Sequence, residues 1–408
     1  MNKPNEKKIE KLAIIGTGQM GSGVAQVSLP VCDTVLMKDI SLDAVSKGMD
    51  TVYNSLQKLV QKNKLTQFQA EALYGKMVPC DDYRYFKNTD LVIEAVVEDL
   101  ALKQKILHEV ETATGADTIF ASNTSALPIT KIAEGCSRPE NFIGMHYFSP
   151  VPFMPLLEII TTDKTAEWVT TAALDMGTRQ KKKCIVVKDG PGFYTTRILV
   201  AMLNQVGILI EEGVNIYSID QAMVEFGFPV GPVTLIDEIG IDTAFHVADM
   251  MKRIWEPKNI KMTKCFTILN KNGFFGRKTG KGFFDFEASK ADGKRQINTE
   301  ALKALNIAGL SEISAEEIKN RIALTMVNEA VHCLNEGIIS SPEDGDTGAV
   351  LGLGFPMQKG GPFKFIDTQG AANIVKILEK LSKIYGPAFI PPPVLKDMGG
   401  KNTCFYVG

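Results

Sequence analysis

The feature that most constrains the fold is a glycine-rich turn near the start of the chain. Residues 12–15 form a short apolar run typical of a strand, and the sequence Gly-Thr-Gly-Gln-Met-Gly follows at 16–21. A helical pattern comes next, and a second strand-like run at 34–37 leads into Lys38 and Asp39. Strand, glycine turn, helix, strand and acid is the order of a βαβ unit.

Each part of this unit has a physical reason to bind a dinucleotide. Gly16 permits the tight turn, Gly18 lets the backbone approach a pyrophosphate, and Gly21 lets helix and strand pack closely. The helix N-terminus adds free N–H groups and a positive dipole end. Asp39 can accept hydrogen bonds from the ribose hydroxyl groups and would repel a 2′-phosphate, which favours NAD over NADP. The neighbouring Lys38 could weaken this preference for NAD. The turn therefore predicts an NAD site, and the alternative is a glycine turn with a purely structural role. FAD is disfavoured because the sequence shows no second flavin-binding pattern.

The rest of the first half alternates strand-like and helical segments. Five further strand-like runs follow the turn: 91–96, 118–121, 142–146, 156–160 and 184–187. Residues 43–73 have the spacing of one or two long exposed helices. This order predicts an α/β Rossmann domain with a mostly parallel, doubly wound sheet. Gly and Pro at 190–192 mark a boundary, so we expect the NAD-binding domain at 1–188.

The second half has helical periodicity and contains an internal repeat. The segment from Arg197 to Glu212 recurs from Arg321 to Glu336 at a constant offset of 124 residues. The sequence therefore predicts an all-α C-terminal region made of two related subdomains. Their predicted bounds are 189–295 and 296–408. We expect the Arg and Glu of each copy to make buried polar contacts.

Composition excludes several classes of protein. A net charge of -2 gives no global reason to expect nucleic acid or an anionic membrane as a partner. The seven cysteines are scattered without Cys-x-x-Cys spacing, which argues against a disulfide framework or zinc site and favours a reducing compartment. We find no signal peptide, no run long enough for a membrane span and no peroxisomal ending.

One of the four histidines stands out as a catalytic candidate. His108, His246 and His332 lie in helical patterns, whereas His146 follows a strand, where doubly wound folds bind their ligands. A neutral imidazole can accept a hydroxyl proton near neutral pH. Glu158 lies in an apolar run, where a carboxylate is costly unless it is paired. Its partner could be His146, backbone N–H groups or an arginine.

Several motifs together resemble the 3-hydroxyacyl-CoA dehydrogenase family. In the first half they are the glycine turn, Ile-Glu-Ala-Val-Val-Glu-Asp at 93–99, Ser-Asn-Thr-Ser at 122–125, His-Tyr-Phe-Ser-Pro-Val-Pro at 146–152 and Asp-Gly-Pro-Gly-Phe at 189–193. In the second half they are Gly-Arg-Lys-Thr-Gly-Lys-Gly-Phe at 276–283 and Ser-Pro-Glu-Asp-Gly-Asp at 341–346. The sequence is most similar to the dehydrogenase part of multifunctional fatty acid oxidation enzymes, in collinear order over nearly the whole chain.

The resemblance implies a role for individual residues. His146 matches the catalytic base, Glu158 its partner, and Ser125 a residue near nicotinamide and the substrate oxygen. The other positions that match contacts to NAD are Met20, Asp39, Val96, Val97, Glu98, Lys103 and Ser149. Positions that match contacts to the acyl-CoA substrate are Ser125, Thr196, Ser55 and Lys62. Thr196 and Ser149 depart from the pattern, since many members carry Asn at both places.

The resemblance also implies an activity and its setting. The expected reaction is reversible hydride transfer between (S)-3-hydroxyacyl-CoA and NAD in fatty acid β-oxidation. We expect a homodimer, with a separate enoyl-CoA hydratase or thiolase as a further partner, because a hydratase half does not precede this region. The expected location is the mitochondrial matrix in a eukaryote and otherwise the cytoplasm. The competing interpretations are a dehydrogenase of another hydroxy acid and a non-catalytic structural paralogue.

A run of three lysines has two interpretations at this point. The side chains at 181–183 could bind a CoA phosphate, or they could form a solvated face. A solvated face is the more common role of such a run, so we expect that one.

Overall fold

A computed structural model describes residues 7–307, 309 and 311–406, and divides into two compact units. The division falls between Phe193 and Tyr194. The sequence placed this boundary five residues earlier, at the Gly and Pro residues that precede the first helix of the second unit. Both copies of the repeat belong to that one second unit, whereas the sequence suggested a subdomain for each. No described helix has the length and apolar character to span a bilayer.

The first unit is built on an eight-stranded sheet. Its strands are β1 Lys11–Ile15, β2 Thr34–Lys38, β3 Met77–Cys80, β4 Leu91–Glu94, β5 Ile119–Ser122, β6 Phe142–Tyr147, β7 Leu156–Thr161 and β8 Lys183–Lys188. They lie in the order β3-β2-β1-β4-β5-β6-β7-β8. Every neighbouring pair is parallel except β6 and β7. The predicted doubly wound, mostly parallel sheet is therefore confirmed.

Helices connect these strands. They are α1 Gln19–Ser28, α2 Leu42–Gln61, α3 Gln67–Tyr74, α4 Leu100–Ala113, α5 Ile129–Ile132 and α6 Glu167–Arg179. Side chains that accept a backbone N–H fix the start of three of them: Ser41 begins α2, Thr66 begins α3 and Asp99 begins α4. The strand-like runs of the sequence match β4 to β8 closely because their apolar residues are buried in the sheet.

Strand β3 was not predicted. It has only four residues, and one of them is Pro79. Proline cannot donate to a neighbouring strand and is confined to edge strands, which is where β3 lies. The proline therefore fits the edge position, although it removes the sequence signal of a strand.

The described part of the second unit is helical, as predicted, apart from one pair of two-residue antiparallel strands. Its helices begin with α7 Thr195–Glu211, α8 Ile216–Phe226, α9 Pro232–Ile239, α10 Ile241–Trp255, α11 Cys265–Lys271, α12 Phe286–Asp292 and α13 Thr299–Ala304. They continue with α14 Ala315–Asn335, α15 Pro342–Leu353, α16 Pro362–Gln369, α17 Ala371–Tyr385 and α18 Pro393–Lys401. These strands are β9 Phe284–Asp285 and β10 Gln296–Ile297, with α12 between them.

The two copies of the repeat are joined by crossed ion pairs. Arg197 Nη1 of the first copy lies 2.6 Å from Glu336 Oε2 of the second. Arg321 Nη1 of the second copy lies 2.6 Å from Glu212 Oε2 of the first. The expected polar contacts therefore exist, but each arginine takes the carboxylate of the other copy. Such exchange explains why the copies form one unit.

A second feature of the repeat was not visible in the sequence. Asp220 on α8 accepts the backbone N–H of Val233 at 2.7 Å, near the start of α9. Asp346 on α15 accepts the N–H of Phe363 at 2.8 Å, near the start of α16. A carboxylate at a helix N-terminus is favoured by the helix dipole. Each copy thus uses one buried aspartate to hold its next helix.

Candidate active site

The glycine turn lies between β1 and α1, and Asp39 fastens it. Asp39 Oδ2 accepts the backbone N–H of Thr17 at 2.7 Å, and Oδ1 accepts that of Ile40 at 2.8 Å. Burial alone would raise the pKa of Asp39, but these hydrogen bonds and neighbouring Lys38 outweigh burial and lower it. The carboxylate therefore stays ionised beside the turn, at the place where the sequence predicted a ribose acceptor.

Two of the glycines are required by the fold itself. Gly16 has φ of +90°, and a Cβ there would lie 2.7 Å from the carbonyl oxygen of Ala95. A Cβ on Gly21 would lie 1.8 Å from the carbonyl oxygen of Gly16. Both distances are far below van der Waals contact, so neither position accepts a side chain.

Gly18 has a different reason to lack a side chain. A Cβ on Gly18 would meet no other protein atom within 4 Å, and its φ of -64° suits any residue. The chain itself therefore does not require glycine here. Gly18 stands at the start of α1, so the space that a Cβ would fill is open at the helix N-terminus. This open space fits a pyrophosphate approaching the N–H groups of α1.

His146 and Glu158 form a buried pair on neighbouring strands. They are directly opposite each other in the antiparallel register of β6 and β7. His146 Nδ1 lies 2.9 Å from Glu158 Oε2, and Glu158 is fully buried. An ionised carboxylate only accepts hydrogen bonds, so this contact places the imidazole proton on Nδ1. The other ring nitrogen, Nε2, then carries the lone pair that a general base needs.

Aromatic rings enclose the imidazole. The His146 ring centroid lies 4.4 Å from that of Phe148 and 6.2 Å from that of Phe193. His146 itself is buried, with 4% of its surface exposed. Since apolar neighbours exclude water, they strengthen the hydrogen bond that orients the ring.

The loop after β5 carries Ser125, and hydrogen bonds to the carboxylate of Glu98 hold this loop. Ser125 is exposed, and its backbone N–H donates to Glu98 Oε1 at 3.2 Å. The hydroxyl of Thr124 donates to the same oxygen. Lys103 is buried, and its ammonium lies 3.2 Å from Glu98 Oε2 and 2.9 Å from both oxygens of Glu94.

Glu94, Glu98 and Lys103 form a group that we call the acid–lysine cluster, and the sequence analysis missed Glu94. It is the last residue of β4, it is fully buried, and the hydroxyl of Ser122 donates to it. The available signal was a carboxylate at the end of the apolar run Leu-Val-Ile at 91–93, with Lys103 nine residues later. An acid in such a run is costly unless it is paired.

The remaining positions matched to NAD contacts also lie near the carboxyl ends of the parallel strands in the first unit. Ser149 Oγ accepts from Gln19 Nε2 at 3.0 Å, so the segment after β6 reaches the start of α1. Val97 follows β4 and is 70% exposed. Met20 and Val96 are half-buried. The structure thus brings these residues and the glycine turn to the carboxyl ends of β1, β4, β5 and β6.

Comparison with known protein families decides the identity of both units. The sequence model of the 3-hydroxyacyl-CoA dehydrogenase NAD-binding domain matches residues 11–190. The model of the C-terminal domain of the same family matches residues 192–286 and 318–404. The chain belongs to the 3-hydroxyacyl-CoA dehydrogenase family. NAD is the cofactor of the first unit, and the open space at Gly18 and the carboxylate of Asp39 fit it.

The chain is also similar to individual bacterial proteins. The fatty acid oxidation complex subunit alpha of Shewanella sp. strain MR-7 is 42% identical over 403 residues, which are 98% of this chain and 57% of that subunit. The chain therefore spans little more than half the length of such relatives. The (S)-3-hydroxybutyryl-CoA dehydrogenase of Ralstonia eutropha is 37% identical, with a TM-score of 0.65, over 67% of this chain and 98% of its own.

The 3-hydroxybutyryl-CoA dehydrogenase of Escherichia coli K12 supports the fold alone. It is 24% identical, with a TM-score of 0.85, and the match covers 97% of this chain and 99% of that one.

The positions matched to substrate contacts lie on separate elements of this dehydrogenase-family chain. Ser55 is half-buried near the end of α2, and Lys62 is exposed directly after it. Thr196 is buried in the first turn of α7, which belongs to the second unit. Ser125 and Thr196 therefore come from different units, and the substrate role of each stays a prediction.

The lysine run at 181–183 is not a uniform solvated face. Lys181 and Lys183 are exposed, but Lys182 is half-buried and donates to the carbonyl oxygens of Val151 and Met154, the latter at 2.7 Å. Burial lowers the pKa of Lys182 to about 8. The sequence missed this residue because a run of like charges does not show which member turns inward.

Proposed function

We propose that this protein is an NAD-dependent L-3-hydroxyacyl-CoA dehydrogenase that oxidises (S)-3-hydroxyacyl-CoA to 3-oxoacyl-CoA and catalyses the reverse reduction. The observation that carries the proposal is the buried contact of 2.9 Å between His146 and Glu158. It lies in the unit that binds NAD. His146 is near the carboxyl end of β6, and the glycine turn is at the carboxyl end of β1. The role in fatty acid β-oxidation rests on the names of the relatives.

The pair supplies general base catalysis. With the proton of His146 held on Nδ1 by Glu158, Nε2 takes the proton of the substrate's 3-hydroxyl group. Glu158 then stabilises the imidazolium cation that forms, because its carboxylate lies in direct contact with the ring. Bound NAD would supply the acceptor for the hydride that leaves carbon 3. General base catalysis of this kind accelerates a reaction by about 10²–10⁴-fold.

The residues proposed to hold NAD follow from the same geometry. Gly18 and the start of α1 receive the pyrophosphate, and Asp39 accepts the adenosine ribose hydroxyls. The further proposed contacts are Met20, Val96, Val97, Glu98, Ser125 and Ser149. The exposed side chain of Val97 supports this assignment, because a bound ring would cover it.

The proposed substrate contacts involve four residues. Ser125 is exposed on a loop that Glu98 orders, so its hydroxyl is available to the reacting oxygen. Thr196 can donate one hydrogen bond, where many family members use Asn. Ser55 and Lys62, near the end of α2, are proposed to contact the CoA part, where a lysine ammonium suits a phosphate.

Partners and location complete the proposal. The relatives are named as subunits of a fatty acid oxidation complex, which supports a thiolase or hydratase as partner of this chain. A homodimer is a further proposal, and light scattering on the purified protein would test it. We favour the cytoplasm over the mitochondrial matrix, because the relatives named above come from bacteria.

The first experiment is oxidation of NADH in the presence of acetoacetyl-CoA, followed by absorbance, with NADPH as the matched control. We expect turnover with NADH and little with NADPH, because Asp39 would repel a 2′-phosphate. A series of longer 3-oxoacyl-CoA substrates then gives the chain-length preference. Binding of NADH without turnover would contradict the proposal and indicate another hydroxy acid or a catalytically silent protein.

A further inference from the structure

The short connection between α6 and β8, residues 180–182, carries two polar side chains that point away from solvent. Gln180 is buried and Lys182 is half-buried, whereas Lys181 between them is exposed. Removing an amide or an ammonium group from water is costly unless it finds hydrogen-bond partners. The partners of these two side chains therefore show what the connection holds.

Gln180 holds the end of β6. The hydroxyl of Tyr147 donates to Gln180 Oε1 at 2.8 Å, and Tyr147 directly follows His146 on that strand. Gln180 Nε2 in turn donates to the hydroxyl of Ser28 at 2.8 Å, at the last residue of α1. The amide therefore joins the strand of the proposed base to the helix that follows the glycine turn.

Lys182 holds the segment 149–154, which begins shortly after β6. Its ammonium donates to the carbonyl oxygen of Val151 and, at 2.7 Å, to that of Met154. Val151 is buried, and a Cβ added to Gly23 of α1 would lie 2.8 Å from the Cβ of Val151. The segment thus packs closely on α1 while the lysine binds its backbone.

The same segment begins with Ser149, a proposed contact to NAD. Ser149 is exposed, and its hydroxyl accepts from Nε2 of Gln19, the first residue of α1, at 3.0 Å. Only two residues later, Lys182 binds the carbonyl of Val151. Hydrogen bonds to two carbonyls restrict the backbone between them and next to them. The place of Ser149 beside the glycine turn is therefore coupled to the lysine.

We propose that Lys182 is a positioning residue for NAD binding, which keeps Ser149 beside the glycine turn by holding the backbone of 149–154. Because its ammonium binds backbone carbonyls, the lysine acts through this segment. The proposal rests on the proposed contact between Ser149 and NAD, and it does not depend on which hydroxy acid is oxidised. It gives Lys182 a task that neither interpretation of the lysine run at 181–183 contained.

The experiment is a double-mutant cycle of Lys182→Met and Ser149→Ala, with the Kd of NADH measured by fluorescence titration. Residues that act through one another give non-additive changes, whereas independent residues give additive ones. Lys182→Arg is the conservative variant, because a guanidinium keeps donors for both carbonyls. Lys183→Met is the matched control, because this lysine is the next residue of the same run and is exposed. The melting temperature, and kcat and KM for NADH with acetoacetyl-CoA, are measured alongside.

We expect Lys182→Met and Ser149→Ala each to weaken NADH binding about fivefold, as for the loss of one neutral hydrogen bond. The double variant should bind NADH about fivefold to tenfold more weakly than the parent, not about 25-fold more weakly as independent residues would. Lys182→Arg should recover most of the loss, and Lys183→Met should bind as the parent does. In turnover the change should lie mainly in the KM for NADH, because Glu158 still holds His146.

Three outcomes would overturn the proposal. Additive losses in the double variant would mean that Lys182 does not act through Ser149. NADH binding equal to that of the parent in Lys182→Met would mean that the segment keeps its place without the lysine, and the same result in Ser149→Ala would remove the contact on which the proposal rests. If acetoacetyl-CoA gives no turnover, the proposed reaction fails, while the NADH titrations still decide the role of Lys182. If Lys182→Met does not fold, Lys182→Gln takes its place in the same cycle, since its amide keeps a donor.

Discussion

Both units bury charged side chains, but they place them differently. In the first unit the pair His146–Glu158 and the acid–lysine cluster lie at strand ends, along the edge that carries the glycine turn. In the second unit Arg197 and Arg321 lie within long helices and contact carboxylates of the opposite repeat copy. We propose that the first arrangement serves a reaction, whereas the second joins the two copies of the repeat.

This contrast shows that burial of charge alone does not indicate a catalytic site. A buried ion pair costs desolvation energy, so it persists where it serves a specific purpose. Changes in the first unit should therefore affect activity more than stability. Changes in the second unit should do the reverse.

The largest expected effect is that of His146→Gln. Loss of the general base should lower kcat by about 10³-fold, while the melting temperature stays close to that of the parent. Steady-state kinetics and calorimetry measure the two quantities. The control is His108→Gln, because His108 is exposed on α4. A collapse in melting temperature with the loss of activity would remove the contrast between the units.

The second unit should respond in the opposite way to Arg321→Met. Arg321 is 1% exposed, pairs with Glu212 and stacks on Tyr385 at 3.8 Å. We expect its loss to reduce the free energy of unfolding by about 3 kcal/mol, at the lower end for a broken buried pair because Glu212 reaches water. Urea unfolding measures this change, with exposed Arg253→Met as control. NADH affinity that fell as far as stability would contradict the division of roles.

A smaller effect is expected at Asp39, which belongs to the first unit but is only partly buried. Asp39→Asn should keep the acceptor for the N–H of Thr17 while removing the charge. NADH binding should weaken about tenfold, as for one charged hydrogen bond, and the preference for NADH over NADPH should shrink. Titration with both cofactors measures this. An unchanged preference would show that Asp39 does not face the ribose.

The smallest effect is a dependence of stability on pH at Glu336. Burial by itself would raise the pKa of Glu336, but Arg197 and then Lys258 lower it to about 2. A carboxylate with a lowered pKa stabilises the folded protein above its unfolded pKa, and this contribution is lost as the pH falls toward 2.

We expect Glu336→Gln to lose about 1 kcal/mol near neutral pH, a value reduced because the side chain is partly exposed. Urea unfolding of both proteins at about pH 7 and about pH 3 measures the effect, and the difference between them should narrow in acid. A constant difference would mean that the ion pair to Arg197 does not stabilise the second unit.

The sequence predicted the sheet well because its strands are apolar and its turn has chemical requirements. The glycines at 16 and 21 are forced by contacts that any such turn makes. The residues alone could not choose a partner for Glu158, because the choice depends on the antiparallel register of β6 and β7. A shift of one residue in that register would place the two side chains on opposite faces. The family resemblance, and not the local sequence pattern, indicated that Glu158 pairs with His146.

The acid–lysine cluster and the crossed pairs show a second limit. The repeat predicted that Arg197 and Glu336 would be buried and polar, but not that each would pair with the other copy. Pairing between distant helices depends on how they pack, which periodicity does not encode. For the same reason Lys103 was assigned from resemblance, while its partner Glu94 was passed over as part of a strand.

The crossed ion pairs should not depend on the concentration of the protein. Two separate chains that exchanged such contacts would lose them as their concentration fell. Here Arg197 and Glu336 belong to one polypeptide, as do Arg321 and Glu212, so each partner meets the other at a fixed effective concentration. This association should hold at any amount of enzyme in the cell. Cutting the connection between the copies would turn it into an ordinary binding equilibrium.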